Sequence, residues 1–215
     1  MNGILIALAV LLVIGVAEAM FPLVKMAIQR RKLKAALSEI AKAIDLKDAP
    51  AETRGSSVDA IAVRIAKAMR LPEPEVKRIR LAAMLHDIGK VGVSTKILKK
   101  PGPLDPAEQE AMRRHSVIGA EIMKPVELLS GVAEIVRHHH EHYDGSGYPD
   151  GLKGEDIPLA SRIVLVAEAF SNITSDTPYR RARSKSEALR ELKEHAGSQF
   201  DPKLVSVFES MIDLI

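Results

Sequence analysis

Three observations predict an all-α domain. Aromatic residues make up only 3% of the 215 positions, and Trp is absent; a β-sandwich or barrel draws on more aromatic and β-branched material. Apolar residues recur in the three-and-four rhythm of a helix face over most of the chain beyond residue 56. No run alternates for long at period two, and there is no internal repeat or low-complexity tract. A balance of 47% hydrophobic and 27% charged residues excludes wholesale disorder. The length is room for one ordinary domain plus an appendage.

The first element is a membrane helix. Ile4 to Val24 is apolar without interruption as far as Ala17, where Glu18 intrudes. At helical rise the whole stretch spans roughly the 30 Å hydrocarbon core. No Lys or Arg precedes it, and Lys25, Arg30, Arg31, Lys32 and Lys34 follow. That asymmetry argues against a cleaved signal peptide, despite the small-x-small Ala17-Glu18-Ala19, and places the C-terminal body in the cytoplasm. Residues 1–24 are thus expected to be a single-pass anchor. Residues 25–50 read as an amphipathic linker helix, with Leu33, Leu37, Ile40 and Ile44 at spacings of four, three and four. Such a seam either forms a homodimeric stalk or packs on its own domain. Asp45 to Gly55 forms a loop, and the main domain occupies 51–215.

Helices then follow in order. A capping box at Ser56-x-x-Asp59 opens one with Val58, Ile61, Ile65 and Met69 on a common face, ended by Pro72. Val76, Ile79, Ala83 and Leu85 carry a second, which stops at Gly89. Asp105 as N-cap, Pro106 in the first turn and Glu108 open a third, continuing from Met112 to Met123 until Pro125. Val132, Ile135 and Val136 lead into a fourth, ending near His142. Asp144 to Gly151 is a loop, from its glycines and proline. Arg162 to Ser171 is an apolar helix. Ser184-x-x-Glu187 caps another that ends at Gly197, and Asp201-Pro202 opens the last, with Leu204, Val205, Phe208, Met211 and Ile212 inward.

The chemistry lies in the histidines. A net charge of +3 gives no sign of a nucleic-acid polymer as partner, although a small anionic ligand needs only a local cluster. The lack of Cys excludes disulfide scaffolds, thiolate-bound zinc and thiol catalysis. All seven His residues lie beyond residue 85, six of them in one central stretch. A metal site without thiolates needs imidazole and carboxylate together. His86-Asp87 falls at a helix end, with Lys90 beyond it; His139-His140-Glu141 adjoins the glycine-rich loop. Neighbouring helical residues point about 100° apart, so His139 and His140 can share a cation only near a helix end or bend. The loop at Asp144 offers one. Clustering favours His86, His115, His139 and His140 as ligands; His138, His142 and His195 read as core or surface residues. Lys90 has a plainer reading too, as a cation favoured at a helix C-terminus.

These residues fall into a known pattern. Leu85-His86-Asp87-Ile88-Gly89-Lys90, Lys100-Pro101-Gly102-Pro103-Leu104, Arg114-His115-Ser116-Val117-Ile118-Gly119, His139-His140-Glu141-x-x-Asp144-Gly145-x-Gly147-Tyr148-Pro149 and Thr174-Ser175-Asp176-x-Pro178-Tyr179-Arg180 resemble the HD-GYP family, in order and spacing. The resemblance runs from about Ser57 to the C-terminus. It implies an HD-type helical bundle, a centre of divalent metal ions, often iron or manganese, and hydrolysis of cyclic di-GMP, which the expected anchor would place at the inner face of a bacterial membrane. It further implies His115, His139, His140 and Asp87 at one metal, His86, Asp87 and Glu168 at another, and Asp87 and Lys90 as catalytic. Lys90, Tyr148 and Arg180 would be its substrate contacts.

The chain departs from the family at three positions. Arg54 stands where the family has a further His, Glu168 where it has Asp in a Val-Ala-Asp run, and Thr177 where it has Arg two residues before Tyr179. The lengthened side chain of Glu168 moves its oxygens by about 1 Å, a displacement to which catalysis is sensitive. Arg54 either neutralises the carboxylates in place of a cation or points to solvent. The resemblance therefore leaves two further readings, a degenerate module that binds cyclic di-GMP or a protein without turnover, and a phosphohydrolase acting on another nucleotide.

Overall fold

In the computed structural model, residues 57–176 and 181–212 are described, with single helical positions between 20 and 36. The Ile4–Val24 anchor and the linker seam lie almost wholly outside the described residues, as do Arg54, Thr177 and Arg180. Among the described residues no helix is long and apolar enough to cross a membrane. Contacts divide the chain into two units, Met1–Glu39 and Ile40–Ile215.

The second unit is all-α. Its helices are α1 (Val58–Ala68), α2 (Glu73–Leu85), α3 (Thr95–Leu98), α4 (Pro106–Arg113), α5 (His115–Met123), α6 (Ser130–Arg137), α7 (Leu159–Thr174), α8 (Lys185–Glu194) and α9 (Pro202–Met211). Three short 3-10 segments, Ile88–Gly92, Glu127–Leu129 and Gly154–Asp156, join them. Helix α1 packs on α2, α7 and α9, and α6 on α2 and α5. The core between them holds Ile61, Ile65, Ile79, Leu85, Ile163 and Leu204, all fully buried, with Phe170 against Phe208 at 4.8 Å between ring centres. Burying each such side chain contributes roughly 1.5–3 kcal/mol against chain entropy.

The helix starts follow their capping chemistry at Asp105 and Ser184. Both side chains accept the backbone N–H three residues on, and Glu108 and Glu187 reach back to the cap N–H. The N-terminus of α1 departs from expectation. Ser57 is its N-cap and makes no side-chain cap bond, while Asp59 pairs with Arg80 at 3.3 Å instead.

Three helices end or break earlier than apolar spacing predicts, and all three differences shape the site. The segment expected to run from Asp105 to Met123 is two helices, interrupted at Arg114, so that His115 opens α5. Helix α6 stops at Arg137 rather than near His142, and His138, His139 and His140 form a turn. Helix α2 stops at Leu85 rather than at Gly89, and Lys90 sits on a tight 3-10 turn.

Candidate metal centre

One local device recurs three times. The last turn of a helix leaves carbonyls without intrahelical donors. At each of three helix ends an imidazole one or two residues beyond supplies the missing donor. His86 Nδ1–H donates to Ala83 O at 2.7 Å after α2. His115 Nδ1–H donates to Met112 O at 2.8 Å after α4, and His139 Nδ1–H to Val136 O at 2.6 Å after α6. A carbonyl can only accept, so the proton must sit on Nδ1. In a neutral ring this leaves Nε2 as a bare acceptor. Backbone bonding of the other ring nitrogen is how metal-ligating histidines are commonly held.

The acceptors face one another. Nε2 of His115 and Nε2 of His139 are 3.4 Å apart. One ring nitrogen each from His115, His139 and His140 lies within 4.8 Å of the others. Asp87 stands between the groups, with Oδ1 3.4 Å from His115 Nε2 and Oδ2 3.4 Å from His86 Nε2. Glu168, on α7, has its Oε2 buried without a hydrogen-bond partner. Two neutral imidazole lone pairs in a buried site repel. The arrangement gains from a shared cation, and the negative ends of α2, α4 and α6 add to that preference. Imidazole nitrogens with carboxylate oxygens suit a divalent transition metal.

Electrostatics keeps the donors in their ligating forms. Burial is the chief cause that lowers the His115, His139 and His140 imidazoles below their ordinary value, the last two strongly, against the raising influence of Glu168 on His139 and of Asp87 on His115 and His140. They remain neutral at pH 7. Burial alone would raise the Asp87 carboxyl, but His86, Lys90, His115 and His139 around it hold it well below the usual carboxylate range. Lys90 Nζ is 2.9 Å from Asp87 Oδ2.

The tyrosine of the loop lies alongside. The Tyr148 ring packs on His140 with 4.8 Å between centres and 31° between planes. Its backbone N–H donates to His140 O at 3.1 Å, and the Tyr148–Pro149 bond is cis. Burial, with the charges of Glu168 and Asp87, raises the phenol, which stays neutral. Gly147 permits this fold-back, because a Cβ there would lie 2.2 Å from His142 N and 2.5 Å from His140 O.

A family profile described as HD domain matches residues 38–204. The chain belongs to the HD domain family, in its HD-GYP branch. It is 41% identical over 171 residues to a cyclic di-GMP phosphodiesterase response regulator of Xanthomonas campestris, covering 79% of this chain and 45% of that protein. It is 44% identical over 147 residues to a cyclic di-GMP phosphodiesterase of Thermotoga maritima, covering 67% and 40%. A crystal structure of a cyclic GMP-AMP specific phosphodiesterase of Vibrio cholerae superposes with a TM-score of 0.59 at 27% identity, over 82% of this chain and 49% of that one. The chain thus spans less than half the length of the curated relatives it matches.

Within this HD domain, His86, Asp87, Lys90, His115, His139, His140 and Tyr148 form one connected cluster. Glu168 acts electrostatically on His115, His139 and Tyr148. Arg180 is outside the described residues. His138 pairs with Asp150 at 2.9 Å and His142 with Ser146 at 3.0 Å, so both have partners away from the cluster.

Glu141 stands within the motif, where the sequence assigns it no role. The side chain is 1% exposed and its two oxygens accept the backbone N–H groups of Asp150, Gly151 and Leu152 at 2.7, 3.1 and 3.1 Å. Arg137 holds the same loop through a bidentate pair with Asp150, both bonds 2.7 Å. A Glu directly after two histidines, with glycines following, was the available signal. Glu141→Gln removes the charge and turns one acceptor into a donor facing N–H groups. It is expected to lower stability by roughly 3 kcal/mol in a urea titration and to loosen Tyr148 from His140.

Proposed function

We propose that this chain is a metal-dependent phosphodiesterase that hydrolyses a phosphodiester of cyclic di-GMP to a linear dinucleotide. The observation that carries the reading is the convergence of neutral imidazole nitrogens of His115, His139 and His140 beside an ionised Asp87. The relatives named as cyclic di-GMP phosphodiesterases supply the substrate class.

His115, His139 and His140 with Asp87 would hold one divalent cation, and His86, Asp87 and Glu168 a second; iron or manganese suits this donor set. Such cations would supply positive charge for the phosphodiester oxygens and acidify water at neutral pH. The chain's own residues set the geometry. Asp87 presents one oxygen toward His115 and the other toward His86, which suits a bridging carboxylate. Lys90 already pairs with Asp87, and its ammonium is within reach of a non-bridging phosphate oxygen placed at the donors. Tyr148 beside them keeps a neutral hydroxyl, suited to donating to a phosphate. Arg180 is proposed as a further phosphate contact. The apolar run from Ile4 to Val24 and the basic residues after it support placement at the inner face of a bacterial membrane.

Glu168, in place of the family's Asp, favours one second reading, a module that binds the dinucleotide without turning it over. One experiment separates the two. The 215-residue chain is loaded with manganese or ferrous iron, its metal content is measured, and cyclic di-GMP is followed to product before and after chelation. A linear product that disappears with the metal supports the enzyme. Retained binding with no product in either metal overturns it in favour of the binder.

A further inference from the structure

The cation donors and Tyr148 leave one neighbouring side chain without an assigned role. Helix α4 ends at Arg113 and α5 opens at His115, so the two residues flank the same break. The exposed Arg113 guanidinium lies over the Tyr148 ring, 5.3 Å from its centre. Among the described residues it has no carboxylate partner. Tyr148 in turn packs on His140, so guanidinium, phenol and imidazole form a file from solvent to the donors. The charge of Lys90 acts on His115, His140 and Tyr148, and that of Arg113 acts on Tyr148 and His142.

Resting on the cyclic-dinucleotide reading above, we propose that Arg113 is the residue through which this chain recognises guanine. A phosphodiester at the donors and Lys90 leaves a base one ring further out, where Arg113, held over the Tyr148 ring, presents a planar donor fork. Guanine presents two acceptors, O6 and N7, that such a fork meets together. Adenine presents an amino donor in place of O6 and is refused.

The test measures KM and kcat of the metal-loaded chain on cyclic di-GMP and on cyclic di-AMP, for the unaltered protein, Arg113→Ala and Arg113→Lys. Arg113→Ala is expected to raise KM for cyclic di-GMP about tenfold or more, with a much smaller effect on kcat. Arg113→Lys does not restore it, since an ammonium keeps the charge but loses the fork. KM for cyclic di-AMP stays within about twofold, because its bases lack the acceptor pair. Metal content is unchanged in both variants. An equal rise on both dinucleotides with rescue by Lys would make Arg113 a phosphate contact and overturn the proposal, as would no change on either. Dissociation constants read the same ratios if turnover is slow. A metal-loaded chain that binds neither dinucleotide removes the proposed function and this inference with it; normal handling of cyclic di-GMP by Arg113→Ala removes this inference alone.

Discussion

Gly89→Ala is expected to destabilise the domain by about 3 kcal/mol or more and to strip it of bound metal. The turn after His86-Asp87 lies directly on the first turn of α5. A Cβ at position 89 would sit 1.9 Å from His115 O and 2.5 Å from Gly119 N, both backbone atoms. Neither can swing aside as a flexible side chain could. The turn and α5 would have to separate, and with them Asp87 and His115, whose carboxylate and Nε2 are 3.4 Å apart. Gly131, in α6, provides the contrast. A Cβ there meets only the Arg78 side chain, at 3.3 Å, so Gly131→Ala should be accepted on helix propensity. Urea midpoints and metal content of the two variants check this. Equal midpoints would mean that the turn is not seated on α5.

His139→Ala is expected to abolish the response of stability to metal. A cation at a thousandfold excess over its dissociation constant adds about 4 kcal/mol to a protein that binds it only when folded. Most of that should be lost in the variant, whose melting temperature would stay flat across a manganese or iron titration. In the metal-free state the difference should be smaller. Removing the ring forfeits its bond to Val136 O and leaves a cavity, but it also relieves two buried acceptors 3.4 Å apart. A variant that melts higher with metal, as the unaltered chain does, would show that His139 is not at the cation.

Particular elements show which parts of this were legible in the sequence. The all-α class followed from apolar spacing, and the starts of α4 and α8 from capping boxes, because both signals are local. The break between α4 and α5 was not legible. Arg114 is an ordinary helix former with helical dihedrals, so no local signal marks the interruption, which lies where Gly89 closely approaches His115 O. Adjacent histidines need a bend to face one point, and that bend lies at His138 rather than in the glycine loop at Asp144, because α6 ends at Arg137. The cluster of His86, Asp87, His115, His139 and His140 was named from motifs. Motifs could not reveal why those rings point inward. The rings of His86, His115 and His139 each satisfy a carbonyl at a helix end, a contact three residues back that depends on where the helix stops. The motif contains Glu141 but not its task, because its partners are backbone N–H groups nine to eleven residues away.

Three neutral imidazoles and one carboxylate share a cation, with the nitrogens of His115 and His139 set by their backbone bonds. Anomalous scattering from crystals of the manganese- or iron-loaded chain tests it most directly. The account predicts a peak bonded to Nε2 of His115, Nε2 of His139, a ring nitrogen of His140 and an Asp87 oxygen, with Nδ1 of His115 and His139 still on Met112 O and Val136 O. A peak held through Nδ1 of either ring, or one lying away from these four residues, would contradict it.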